Sequence, residues 1–494
     1  MNTQSPPVAA EAENGLDRRL VTLGAVVVLG TILSVLDATV VNVAVRTLGQ
    51  HFGASISTIQ WVLTGYLLGF ASVIPVTGWA GERFGAKRVW ISALLLFTAA
   101  SVLAGSAWSV SALIGFRVLQ GLGGGMILPV GQAILARAAG PHRMARVMGF
   151  IGVPLLLGSV AGPVIGGLIV STTSWRWIFF INVPIGAAAV LAAYRLLPES
   201  PPRPQARLDA RGLGLLSTGV ALFVYGMSEA GTVGFDTARA WGPLAGAALL
   251  MALYAAHARA RGGRALIDTS LFRDRGFTAA AVTNLVVAIA LFGTLVLLPL
   301  YWQVVRGHGP LATGMLLMPQ ALGAAVATPL AGRFTDRFGA GTVVPVGIAL
   351  ALLGIAAYTQ VGAESSYAVL AGALFIIGLG LGATFMPAMA AAYQGLAREA
   401  IGKATSAVNT IQRVGASIGT AVTAVALQHA IDVDLPGLSG AALGPLSAAT
   451  RAQAAPALAR AFDASFWLAF ALAAAALVPA VLLPRGRADA PRET

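Results

Sequence analysis

Gly78-Trp79-Ala80-Gly81-Glu82-Arg83-Phe84-Gly85-Ala86 and Gly332-Arg333-Phe334-Thr335-Asp336-Arg337-Phe338-Gly339-Ala340 are one pattern written twice, G-x3-[DE]-R-F-G-A, the second copy 254 positions after the first. A single copy would read as a generic tight turn with positive charge; two copies argue for two related halves. A weaker echo, Gly158-x3-Gly162 and Gly415-x3-Gly419, recurs at an offset of 257. The similar offsets place the repeat along most of the chain, and duplicated halves are a common plan for membrane carriers, with the substrate site near the midplane between them.

The residues around each copy are apolar. The chain is 57% hydrophobic and 10% charged over 494 residues, with mean hydropathy +0.80, more than a soluble fold can bury. Runs of about twenty apolar residues, enough to cross a ~30 Å hydrocarbon layer, begin near Leu20, Ser57, Val89, Val110, Met144, Trp177, Arg211, Gly242, Phe277, Thr313, Thr342, Ser366, Ile401 and Phe462. The pattern predicts fourteen transmembrane helices. The first run is too long for the apolar core of a cleaved leader and reads as a span. All nine tryptophans fall near predicted span ends, as an aromatic belt requires.

A net charge of +13 would suggest nucleic acid, but the basic residues sit in short loops between apolar runs. Of 32 Lys and Arg, 24 lie at the termini or in alternate loops, 6 on the opposite side and 2 within spans. The positive-inside rule makes the rich side cytoplasmic and places both termini there. The expected organisation is a cytoplasmic tail (1–19), a six-helix half (20–197), a Pro-rich cytoplasmic linker (198–209), a two-helix central insertion (210–260), a cytoplasmic loop (261–276), a second six-helix half (277–484) with an outer loop at 429–461, and a tail (485–494).

Several segments resemble the major facilitator superfamily. Gly78, Glu82, Arg83, Gly85 and Lys87 match its loop signature, with Glu82 where Asp is usual. Arg117-Val118-Leu119-Gln120-Gly121 is similar to its fourth-helix R-x-x-Q-G motif, and the stretch containing Gly158, Gly162, Pro163, Gly166 and Gly167 to its fifth-helix antiporter motif. Leu36-Asp37-Ala38-Thr39 and Trp175-Arg176-Trp177-Ile178-Phe179-Phe180-Ile181-Asn182 resemble the fourteen-helix drug:H+ antiporter branch. The resemblance implies an all-α major facilitator fold in a bacterial plasma (inner) membrane. It implies export of drugs or antibiotics against protons, and a proton-linked acid at Asp37.

The residues themselves point the same way. Asp37, Arg117 and Arg413 are ionisable groups inside spans, each costly to insert and so a functional candidate. Counting 1.5 Å per residue from the outer span ends puts Asp37 and Arg117 at a shared depth. A carboxylate alternating between an Arg and a proton is a coupling device; a permanent structural ion pair is the bland reading. Glu82, Arg83, Asp336 and Arg337, turned by Gly85 and Gly339 and preceded by Gly78, are expected to bias one conformation. Gln120, Asn284, Gln320, Asn409 and Arg413 are candidate cavity residues. With one acid against two cations, the interior favours neutral or anionic lipophilic compounds over dications. The five His residues show no metal-ligand spacing, Gly402-Lys403-Ala404 lacks the hydroxyl of a phosphate loop, and neither HExxH nor a nucleophile–base pair appears. The expected partners are a small lipophilic substrate, protons and the bilayer, with no cofactor and no nucleic acid, the chain acting as a monomer. The competing reading is an uptake carrier or lipid translocator of the same fold.

Overall fold

The computed structural model describes residues 18–139, 143–362, 365–397, 399–435 and 448–485, leaving the side chains of some helical positions within them, Pro163 included, outside the description. Among the described residues the structure is helical throughout, as a lipid environment that cannot satisfy backbone groups demands. The spans are α1 (Arg18–Phe52), α2 (Ile56–Val73, continued by Thr77–Phe84), α3 (Ala86–Gly105), α4 (Val110–Ala139), α5 (Met144–Thr172), α6 (Trp177–Phe180 and Asn182–Leu196) and α7 (Ala210–Val233). They continue as α8 (Ala238–Arg261), α9 (Arg275–Leu300), α10 (Pro310–Leu316 and Met318–Phe338), α11 (Ala340–Tyr358), α12 (Tyr367–Ala391), α13 (Ile401–Asp434) and α14 (Ala448–Ala475). Thirteen helical segments among the described residues are long and apolar enough to cross a bilayer; the 29-residue α5 makes the fourteenth.

The repeat is visible in three dimensions. Gly85 (φ 89°) and Gly339 (φ 82°) turn the chain between α2 and α3 and between α10 and α11, in a backbone region that side chains rarely adopt. A Cβ on Gly121 of α4 would collide with the Tyr66 carbonyl of α2, and one on Gly378 of α12 with the Gln320 carbonyl of α10. Each half therefore brings two helix backbones together at matching positions, as small residues allow in membranes.

The insertion fills one seam between the halves. Helix α7 packs against both α2 and α13, with Trp61 stacked on Tyr225 at 5.5 Å and Gly231 against Ala421. It is paired with α8 at its start, where Asp209 caps the helix through the Gly212 N–H (3.1 Å) and meets His257 Nε2 at 2.8 Å and Arg261 at 3.5 Å. At the other seam α5 lies on α10 and α12.

Three expectations need correction. The repeated motifs are mostly helix: α2 continues to Phe84 and α10 to Phe338, and only the glycines turn. The segment 429–461 is not all loop, since α13 runs to Asp434 and α14 starts at Ala448; Ala-rich sequence sustains helix beyond the apolar run. The tryptophans do not all form a lipid-facing belt. Trp61, Trp108, Trp177, Trp241 and Trp467 are exposed on the protein surface, but Trp90, Trp175 and Trp302 are buried. Trp90 donates its indole N–H to the Ile127 carbonyl at 2.9 Å, which lets a polar group sit in the core.

Candidate functional site

The Arg117 side chain sits in a bed made by the close approach of α2 and α4. Its Nη1 donates to Asp37 Oδ2 and to Gln120 Oε1 (2.8 Å), and its Nε donates to the Val62 carbonyl (3.2 Å). The other Asp37 oxygen accepts from Gln120 Nε2 (2.8 Å) and from Asn182 Nδ2 (2.8 Å). Both amides also donate to Ser101 Oγ, which donates to the Phe179 carbonyl at 3.0 Å. Five of the six helices of the first half thus converge on one carboxylate. Asp37 is 1% and Arg117 0% exposed. A buried ion pair tolerates such enclosure only if its remaining hydrogen-bonding positions are filled, and here the three donors to Asp37 fill them.

Aromatic rings complete the enclosure. The Arg117 guanidinium lies 4.2 Å from the Tyr66 ring centre and 5.8 Å from that of Phe179, and Tyr66 Oη donates to the Ser34 carbonyl (3.3 Å). The expected partners Asp37 and Arg117 are therefore together. Gln120, expected to line a cavity, belongs to this cluster instead and is fully buried. The residue reading missed Ser101, Asn182 and Tyr66. Asn182 carried a signal, as an amide in the apolar run Trp177-Ile178-Phe179-Phe180-Ile181-Asn182-Val183.

A second polar group spans the seam between halves. Asn409 Nδ2 of α13 donates to Gln132 Oε1 of α4 (2.9 Å), whose Nε2 meets Met389 Sδ of α12 at 3.3 Å. Gln412 Nε2 donates to Asn284 Oδ1 (2.8 Å), and Asn284 Nδ2 donates to the Ala388 carbonyl (2.8 Å). Asn284 and Asn409 thus stand in two amide pairs, with Gln132 and Gln412 as unforeseen members, and the Nε2 groups of both glutamines meet Met389 Sδ, at 3.3 and 4.0 Å. Gln320 is elsewhere, its Nε2 without a hydrogen-bond partner among the described residues. Arg413 reaches across the seam to Phe70, 5.0 Å from the ring centre, with its Nε unpartnered.

At the end bearing the repeated motifs the halves touch backbone to backbone. A Cβ on Gly78 would lie 2.8 Å from the Gly402 carbonyl oxygen, and Ser406 Oγ donates to the Ile74 and Pro75 carbonyls, both at 2.9 Å. Glu82 lies in the field of Lys403, Arg137 and Arg203. The Pro-rich linker straps this region: Arg83 donates to the Pro204 carbonyl, Arg203 N–H to the Glu82 carbonyl (2.8 Å), and Lys87 pairs with Glu199 at 3.0 Å. A cavity of about 630 Å³ opens beside it, lined by Arg19, Glu82, Arg137, Arg143, Arg203 and Glu399. Asp336 and Arg337 occupy the equivalent end of α10. In α5, Gly158 and Gly166 face Val35 and Val40 of α1, and Gly162 faces Thr39; Gly167 has open space.

Comparison with known proteins gives these features a family. Residues 27–420 match the model of the Major Facilitator Superfamily. The chain is 38% identical over 495 residues to a multidrug resistance protein B homolog of Mycobacterium tuberculosis, covering 96% of this chain and 92% of the relative. It is 30% identical to a tetracenomycin C resistance and export protein of Streptomyces glaucescens, over 81% of this chain and 74% of that one. The proton:xylose symporter XylE superposes with a TM-score of 0.62 at 16% identity, covering 96% of this chain and 97% of that structure, a likeness of fold. The chain belongs to the Major Facilitator Superfamily, in the drug:H+ antiporter family that its motifs resemble. It is a multi-pass membrane transporter, not an enzyme.

Proposed function

We propose that the protein exports lipophilic drugs or antibiotics across the bacterial plasma membrane in exchange for protons, by alternating access. The observation that carries this reading is the enclosed Asp37–Arg117 pair with its three donors to the carboxylate. In this reading Asp37 carries the exchanged proton in one state of the cycle and its charge pair with Arg117 in the other. Rocking of the halves must break the Gln132–Asn409 bond and the Gly78–Gly402 contact. The form described here is closed at the end we assign to the cytoplasm, together with both termini, the linker 198–209 and the loop 261–276. In this reading Gly78, Glu82, Arg83, Gly85, Asp336, Arg337 and Gly339 gate that end. The α5 glycines allow α1 to slide, and Asn284, Asn409 and Arg413 face the path of a neutral or anionic substrate. The proton gradient is the energy source, and the chain works as a monomer without a cofactor. Sequence similarity to exporters favours efflux over uptake or lipid translocation.

The test is transport in proteoliposomes under an imposed pH gradient, with matched neutral, monocationic, dicationic and anionic dyes. Gradient-driven movement of the neutral or anionic dye with opposite proton flux is the expected result. Movement of dye and protons in the same direction would overturn it.

A further inference from the structure

Tyr66 and Phe70 stand one helical turn apart on α2, with ring centres 6.0 Å apart. The first ring carries the guanidinium of Arg117 at 4.2 Å and the second that of Arg413 at 5.0 Å. Two cations from opposite halves of the molecule thus share one aromatic pair. Their circumstances differ. Arg117 is neutralised by Asp37, whereas no carboxylate pairs with Arg413 among the described residues and its Nε has no acceptor. The ring pair itself is fixed: a Cβ on Gly121, Gly125 or Gly69 would strike the α2–α4 backbone contact that holds Tyr66 and Phe70 in place.

We propose that Tyr66 and Phe70 are a positioning pair through which the charge state of Asp37 is felt at Arg413. With Asp37 ionised, the cluster tolerates Arg413 on Phe70, and the contact joins α2 to α13 across the seam. A proton on Asp37 leaves two uncompensated cations on one ring pair. Arg117 is held by Val62, Gln120 and Tyr66, so Arg413 is the group that departs, taking its half with it. A substrate resting on Arg413 in this position and a proton on Asp37 then exclude each other, which is the sign that exchange requires; linkage makes the exclusion reciprocal. The groups facing Asp37 are Arg117 and Gln120 from α4, Ser101 from α3 and Asn182 from α6, with Tyr66 of α2 over Arg117, so no second acid competes for the proton among them. This inference rests on the exchange reading above and adds Tyr66 and Phe70, which that reading does not use.

The experiment uses the full chain in proteoliposomes with dichlorofluorescein as an anionic aromatic probe, measuring gradient-driven accumulation and gradient-free exchange separately. For Tyr66→Leu and Phe70→Leu, accumulation should fall by about tenfold or more while exchange falls by less than about threefold. Tyr66→Phe and Phe70→Tyr keep the rings and should restore the wild-type ratio. Leucine variants with the wild-type ratio, or with both activities lowered in step, would overturn the proposal and leave the exporter reading standing. A wild-type protein whose dye movement ignores the gradient would overturn both.

Discussion

The two halves share a scaffold and differ in what it carries. In the first, the glycine-mediated contact of α2 with α4 presents Tyr66 and Arg117 to Asp37. In the second, the matching contact of α10 with α12 presents Gln320, and the position matching Arg117 is Leu374. The corresponding stretch of α9, Val287 to Leu291, contains no acid. Where the first half gathers Ser101, Gln120 and Asn182, the second gathers Tyr301, Tyr358, Phe462 and Phe466 into an aromatic core. Duplication supplied the helix geometry twice, but the enclosed Asp37–Arg117 pair is on one side, and the second half brings Arg413 to the seam.

The sharpest break of that asymmetry is Asp37→Asn. Gradient-driven transport should fall by at least about a hundredfold, roughly 2.7 kcal/mol, while the protein still inserts and folds, since an amide preserves the shape of the cluster. Retained transport in vesicles would remove Asp37 from the mechanism. Next come Gly121→Ala and Gly378→Ala, which intrude on equivalent backbone contacts. Both should lose about 1–3 kcal/mol of stability through overpacking, read as melting temperature in detergent, but only the first should also alter the ratio of driven to undriven transport. Equal effects on that ratio would mean the halves are functionally alike.

The motif copies give a smaller contrast. Glu82→Ala should slow turnover about tenfold with little change in substrate affinity, and Asp336→Ala should slow it less, because the Pro-rich linker binds the first copy at Glu82 and Arg83. Loss of binding with normal turnover in Glu82→Ala would deny it a gating role. The smallest effect is expected in the insertion, outside both halves. Burial pushes the Asp209 carboxyl up, but His257, the Gly212 N–H and Arg261 outweigh it and hold the group below the ordinary carboxylate range. Its stabilisation is therefore present above the unfolded value near pH ~4 and lost as pH falls through the lower folded value. Asp209→Ala should cost about 1 kcal/mol at neutral pH, the scale of one helix cap, and flatten the acid limb of a melting curve. Transport at neutral pH should be unaffected.

How much of this was legible in the sequence follows from what sequence periodicity reports. Span number emerges because each apolar run must match bilayer thickness, and the repeat because its turns need Gly85 and Gly339. The Asp37–Arg117 meeting could be read from depth, since charges within apolar runs are conspicuous. Gln120 was misplaced because depth alone does not fix which way a helix face turns. Ser101 and Tyr66 were missed because a serine or tyrosine in a span is unremarkable until a partner is placed opposite. The amide pairs were half-read for the same reason: Asn284 and Asn409 stood out, while Gln412 depends on how α13 turns toward α9 and Gln132 on how the halves dock.

The enclosure of Asp37 matters most for a cell that is exporting nothing. A carboxylate reachable by water from both faces at once would short-circuit the membrane, letting protons run inward with no cargo and dissipating the gradient that other machinery maintains. Packed among Arg117, Gln120 and Asn182 at 1% exposure, the acid is out of reach from either face in this form. In the proposed cycle it is reachable only in forms in which the cluster has opened, so an idle carrier does not act as a leak.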